Sequence, residues 1–202
     1  MYLFTQLSKM IHNKYFEIIK QFLGDYNREI YGRELIGRVE LSQKGIALAL
    51  EELEEKSTLK SRKHGVLKYY RLNTDYSEIR SIIAIAELSR KIEFLAQQRK
   101  IAHLFKEDDR IVGIFGSYAK GMQKQNSDLD IFIIGKRKNN DYGTQGDKFD
   151  LDISIKYFTK SEWVRLIEQK NNLCKEIISC HIIIFGLESF INLLWTNYYG
   201  FS

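Results

Sequence analysis

The sequence predicts an α+β chain: a helical first third closed by a two-stranded ribbon, one long helix, then a segment in which strands and helices alternate. Three observations carry this. Short apolar runs at helical spacing fill residues 10–55, a basic stretch over 58–72 alternates about a glycine turn, and apolar runs of strand length recur beyond residue 110. The 202 residues are 44% hydrophobic and 28% charged, enough for packed cores in one or two domains. The net charge of +5, from 31 Lys and Arg against 26 Asp and Glu, is mild, so only its distribution informs about partners. No apolar run reaches the roughly 18 residues of a membrane span, and MYLFTQLSKMIHNK does not read as a secretory leader. Two cysteines, Cys174 and Cys180, are too few for a disulfide framework. The expectation is a cytoplasmic protein with no membrane partner. Proline is absent, which has no functional reading.

In chain order, Tyr15, Ile18, Ile19, Phe22 and Leu23 form a first helical face that Gly24 ends. A second pattern over 31–39 puts Leu35, Ile36 and Val39 on one face. Ser42 stands at an N-cap position before Gln43–Glu55, where Ile46, Leu50 and Leu53 make a stripe. Residues 58–72 read as a hairpin turning at Lys63, His64 and Gly65. Asp75 can cap one helix over 75–107 with Ile79, Ile82, Ile83, Ala86, Ile92, Leu95 and Ala96 along a face, and a homodimer is expected to form through it.

Three helices followed by a ribbon is the order of a winged helix-turn-helix, and the stretch LSQKGIALALEELEEKSTLKSRKHGVLKYYRLN resembles the winged-helix domains of archaeal and bacterial transcription regulators. Residues 56–71 hold Lys56, Lys60, Arg62, Lys63, Lys68 and Arg71 with no Asp or Glu, the form of a phosphate-binding surface. Gln43 and Lys44 fall in the first turn of the third helix, where a recognition helix meets base edges. Duplex DNA is the expected partner, contacted by Gln43, Lys44, Lys60, Arg62, Lys63 and Lys68. Winged helices also dock proteins, which leaves that alternative open.

The chemistry lies in Ile111–Ile134. Two apolar runs, 111–115 and 131–134, read as buried strands separated by Gly116-Ser117, a short helical stretch and a loop ending in Asp128-Leu129-Asp130. Strand alternation puts both aspartates on one face. Two converging carboxylates repel unless a cation neutralises them, and Mg²⁺ prefers such oxygen ligands. Gly116 lets backbone approach a phosphate, while Ser117 offers a hydroxyl and an amide. The segment GSYAKGMQKQNSDLDIFII resembles the signature of the DNA polymerase beta superfamily, in its minimal nucleotidyltransferase branch.

That resemblance implies Asp128 and Asp130 as ligands of Mg²⁺ (or Mn²⁺), with Gly116, Ser117, Lys120 and Ser127 on the nucleoside triphosphate and Lys124 near it. It also implies a third carboxylate on a neighbouring strand, acting as metal ligand and base. Lys148–Tyr157 reads as an alternating strand with Asp150, Asp152 and Ser154 on one face. Asp152 is the first choice, Asp150 the next, and with Ser154 in the position the third acid is missing. The domains expected are a winged helix-turn-helix over 1–74, a linker and dimerisation helix over 75–107, and a nucleotidyltransferase domain of mixed sheet and helices over 108–202. The function expected is transfer of a nucleoside monophosphate to an acceptor hydroxyl. The alternative is a DNA-binding regulator whose transferase-like domain senses a nucleotide or is inactive. His12, His64, His103 and His181 form no ligand cluster, and His181 reads as half-buried. Trp163 and Trp195 read as core or interface, the cysteines as inert, and Lys136–Asn140 as a polar loop.

Overall fold

The computed structural model describes residues 13–138 and 142–201. His12, the first residues read above for a leader, and Asn139 and Asn140 lie outside them. Two compact units, residues 1–89 and 90–202, divide inside a helix.

In the first unit, Asn13 caps α1 (Lys14–Ile19) by accepting from Tyr15 N, and a 3₁₀ turn (Lys20–Phe22) continues it. Ile18, Ile19 and Phe22 are buried, and Gly24 turns with φ +92°. The second helical pattern is corrected. Residues 31–39 give a strand end, β1 (Ile30–Tyr31), and a 3₁₀ turn (Gly32–Leu35), and Ile36 is half exposed rather than beside buried Leu35 and Val39. Gly37, with φ +79°, stops any continuation. Helix α2 (Gln43–Glu55) starts at Ser42, whose Oγ accepts from Gly45 N at 3.1 Å, and buries Ile46, Ala49, Leu50 and Leu53. Strands β2 (Leu59–His64) and β3 (Leu67–Leu72) pair in antiparallel register, Leu59 opposite Leu72 and His64 opposite Leu67. Their turn is therefore Gly65–Val66, one residue beyond the expected one. β1 adds to the far edge of β3, giving the order β1-β3-β2.

The single helix expected over 75–107 is two: α3 (Ile79–Gln97) and α4 (Arg99–Leu104), broken at Gln98 with φ −109° and ψ 65°. Asp75 lies ahead of the helix and pairs with Lys60 instead of capping it. No helix among the described residues is long and apolar enough to cross a membrane.

The second unit is a four-stranded mixed sheet in the order β6-β5-β4-β7. Its strands are β4 (Ile111–Phe115), β5 (Leu129–Ile134), β6 (Ile153–Phe158) and β7 (Ile182–Phe185). β5 is parallel to β6, while β4 is antiparallel to both β5 and β7. Between them lie α5 (Gly116–Ala119), α6 (Gly143–Gly146), α7 (Lys160–Glu168) and α8 (Asn172–Ser179), and after β7 comes α9 (Leu187–Leu193), which runs into a π turn. One face packs Val112, Ile114, Ile131 and Ile133 with Ile101 and Leu104 of α4. Phe132 belongs to an aromatic group in which its ring stacks on Trp163 at 6.0 Å and meets Phe190 at 5.7 Å. Of the two places open to Trp163 and Trp195, core or interface, both are buried in the core. His181 is fully buried, not half-buried, with Nδ1 donating to the Ile177 and Ile178 carbonyls at 2.9 and 3.0 Å. Burial pushes the Cys174 thiol up to about 11 and leaves it unreactive.

The start of β4 is fixed by Arg110 and Asp108, both almost wholly buried and paired at 2.7 Å. Tyr142 donates to the same carboxylate at 2.8 Å. Burial alone would raise the Asp108 pKa, but the Arg110 and Tyr142 bonds overcome it and hold the acid well below the usual range. Beyond β5, Arg137 lies over the Tyr157 ring at 4.7 Å and Lys138 pairs with Asp109.

Candidate active site

Because β4 and β5 run antiparallel, the carboxyl end of one lies beside the amino end of the other, and Phe115 is directly opposite Asp130. The chain leaves β4 through Gly116, whose φ is +69°, into the single turn of α5. A Cβ at residue 116 would collide with the Asp130 carboxylate, so both the backbone angle and the close approach require glycine. Ser117 follows, half-buried, its carbonyl accepting from Met122 N at 2.9 Å to close the bend.

Asp130 is half-buried and Asp128, in the loop before β5, is exposed. Burial is the largest cause raising the Asp130 pKa, and the negative charges of Asp128 and Glu176 add to it. A hydrogen bond from Ser154 and the charge of Lys156 oppose the rise. The carboxyl thus sits in surroundings that disfavour its charge, and a cation would relieve this.

Across the parallel pair, Leu129 faces Ile153 and Asp130 faces Ser154. The Lys148–Tyr157 strand is corrected: Asp147–Phe149 is a 3₁₀ turn, Asp150 is left-handed with φ +55°, and β6 begins only at Ile153. Leu151 N bonds back to Gly146 O at 3.2 Å, which keeps this stretch out of the sheet. Asp150, Asp152 and Ser154 therefore do not share a strand face. Asp152 is exposed just before β6, its carbonyl accepting from Leu129 N at 2.7 Å, and Ser154 stands opposite the acid. Among the described residues no group of three or more His, Cys, Asp or Glu side chains is placed to hold one metal ion. Two carboxylates, hard oxygen donors on neighbouring loop and strand, still suit a hard divalent cation in their chemistry.

Lys120 Nζ pairs with Glu176 of α8 at 2.6 Å, which raises the lysine's pKa, and the charge of Asp130 adds to the effect. Ser127 Oγ accepts from Lys124 N at 2.8 Å and braces the loop before Asp128. Cys180 Sγ points at the Ala119 carbonyl, 3.3 Å away. Sequence reasoning missed Glu176: nothing in its local pattern announces a partner for Lys120 on a distant helix.

In the first unit Gln43 and Lys44 are exposed in the first turn of α2. The cations of the ribbon are anion-free along the chain but not in space. Lys60 pairs with Asp75, Arg62 Nε with Glu29 at 2.7 Å, and Lys68 with Glu54 at 2.6 Å. These bonds lower the pKa of each carboxylate partner. Lys63 is exposed near the turn. Arg62 also lies over the Tyr69 ring and Lys68 over the Tyr70 ring, at 5.4 and 5.0 Å.

Residues 99–189 match the model of the family described as Polymerase beta, Nucleotidyltransferase. No curated protein and no solved structure matches the chain. The matched stretch opens at α4, closes in α9, and contains the Gly116 bend, both aspartates, Ser154 and Glu176. It supports the polymerase beta superfamily for this segment, with nucleotidyl transfer as the general activity.

Proposed function

We propose that the chain is a metal-dependent nucleotidyltransferase, moving a nucleoside monophosphate from a nucleoside triphosphate to an acceptor hydroxyl, joined to a DNA-binding winged helix. The observation that carries the reading is the Asp130 carboxylate pressed against the Gly116 bend, with Asp128 beside it, inside the matched segment. Gly116 and Ser117 offer amides and a hydroxyl to the terminal phosphates, and Lys120 adds positive charge. Asp128 and Asp130 would hold Mg²⁺ or Mn²⁺, which neutralises charge on the phosphoryl oxygens when bound. The acceptor oxygen forms a bond to the α-phosphorus as the bond to the bridging oxygen breaks and pyrophosphate leaves. The acceptor's proton passes to the Asp152 carboxylate.

The winged-helix part of the proposal is supported by the order α1, β1, 3₁₀ turn, α2, β2 and β3, and by the exposed Gln43 and Lys44 at the start of α2. Lys60, Arg62, Lys63 and Lys68 on the ribbon supply phosphate contacts in this reading.

A labelled nucleoside triphosphate tests the transferase. Asp128→Asn and Asp130→Asn each abolish product in the presence of Mg²⁺, and unchanged transfer by either variant overturns the assignment. One observation favours a second reading, a DNA-binding regulator with a nucleotide-sensing, inactive domain: Ser154, not an acid, faces Asp130. A Mg²⁺-dependent rise in Tm with nucleoside triphosphate, without product, is the outcome expected from it.

A further inference from the structure

The four-stranded sheet has two edges, and they differ. At β7 the Ile184 carbonyl accepts from Lys91 Nζ of α3. At β6 the edge is bare. Leu129 N bonds to Asp152 O and Gly135 N to Phe158 O, so residues 152, 154, 156 and 158 turn main-chain groups toward β5. The residues between them point the other way, as alternation in a parallel ladder requires. Ile153 and Ile155 therefore hold their N–H and C=O groups outward, with no hydrogen-bond partner among the described residues. Such a row is a template for one more strand.

The side chains say which strand. Lys156 is exposed on this edge, and a lone edge lysine repels an incoming strand. Asp152 is exposed at the entry to β6, and among the described residues neither charge is in an ion pair. When two copies of Asp152–Lys156 run antiparallel about Ser154, Ile153 of each lies opposite Ile155 of the other. The free main-chain groups of each copy then meet their complements. The same register sets Asp152 opposite the partner's Lys156, and Lys156 opposite the partner's Asp152, two attractive cross-strand pairs. In-register parallel pairing would instead stand like charges side by side.

The geometry points to the outer edge of β6 as a two-fold interface between copies of this chain, joining two four-stranded sheets into one. It stands independently of the transferase reading. Where that reading holds, the ammonium engages one oxygen of the Asp152 carboxylate and leaves the other for the acceptor's proton. Asp152–Lys156 is a short contact against the roughly 20–30 residues a side of a standard interface, so the dimer dissociates on dilution.

Sedimentation velocity of the full chain across a dilution series tests it. Wild-type protein passes from dimer to monomer as it is diluted. Lys156→Glu and Asp152→Lys each turn both cross-strand pairs repulsive and weaken self-association by about tenfold. Both residues are exposed, so the substitutions leave the core of the monomer intact. An equimolar mixture of the two variants restores association, because the lysines of one then face the acids of the other. Wild-type protein that stays monomeric throughout overturns the interface, and so does a mixture no more associated than either variant alone. A dimer held through α3 ignores both changes and dissociates with Leu88→Lys, at a side chain 44% exposed on that helix, which also overturns the β6 assignment.

Discussion

Ser154 faces Asp130 across the parallel pair β5–β6 and hydrogen-bonds its carboxyl. The hydroxyl gives that carboxyl a neutral partner where another acid would repel it. Ser154→Asp is therefore expected to lower the Tm of the metal-free protein, with Mg²⁺ restoring it and producing a larger Mg²⁺-dependent rise than in wild type. Thermal melts with and without Mg²⁺ check this, and a variant whose Tm ignores Mg²⁺ contradicts it.

The buried Asp108–Arg110 pair makes a pH prediction. Asp108 titrates lower in the folded protein than its ordinary value, so its contribution to stability is fully present above about pH 4 and is lost as pH falls further. Asp108→Asn leaves Arg110 without its carboxylate and should cost about 3–5 kcal/mol at pH 7. Urea melts between pH 7 and pH 2 should show the gap between variant and wild type narrowing on the acid side.

Internal pairing of the ribbon cations predicts how DNA binding responds to mutation. Glu29→Gln frees Arg62 and Glu54→Gln frees Lys68, so each should tighten duplex retardation at low salt. Each should also steepen the dependence of log affinity on log salt by about 0.9 per freed cation. Lys44→Ala and Lys63→Ala should weaken retardation. A ribbon that makes no DNA contact shows none of these changes except the loss in Lys44→Ala, which reports on α2.

Lys120 and Glu176 predict a fourth effect. With its ammonium held by Glu176 at 2.6 Å, Lys120 must leave a partner before it serves a phosphate. Glu176→Gln should tighten tripolyphosphate binding by about two- to fivefold, the range of a partly exposed ion pair. Calorimetry checks it, with Lys120→Met as the variant that loses the gain.

What was legible in the sequence was local. Ser42 before an apolar stripe gave α2 its start, and the runs 111–115 and 131–134 gave β4 and the buried part of β5, because caps and burial patterns act over a few residues. The Gly116-Ser117 bend and Asp128-Leu129-Asp130 were readable for the same reason. The features missed depend on distant chain. β1 exists because β3 offers an open edge, and Asp75 turns from the helix to Lys60. Arg62 finds Glu29, and Lys120 finds Glu176. At the third acid, the strand stops short of where sequence alternation carries it. The Asp147–Phe149 turn and the left-handed Asp150 interrupt a pattern that periodicity alone continues.

The pairing of Phe115 with Asp130 also sets how the site comes apart. β4 and β5 are the two inner strands of the sheet, flanked by β7 and β6, and the bend and an acid are stitched together at their shared end. Fraying of an outer strand leaves that junction closed, so amide protons there should exchange with solvent only when the whole sheet opens. Readiness to receive a ligand would then vanish in one cooperative step on heating, with no earlier softening of the bend or of the acid beside it.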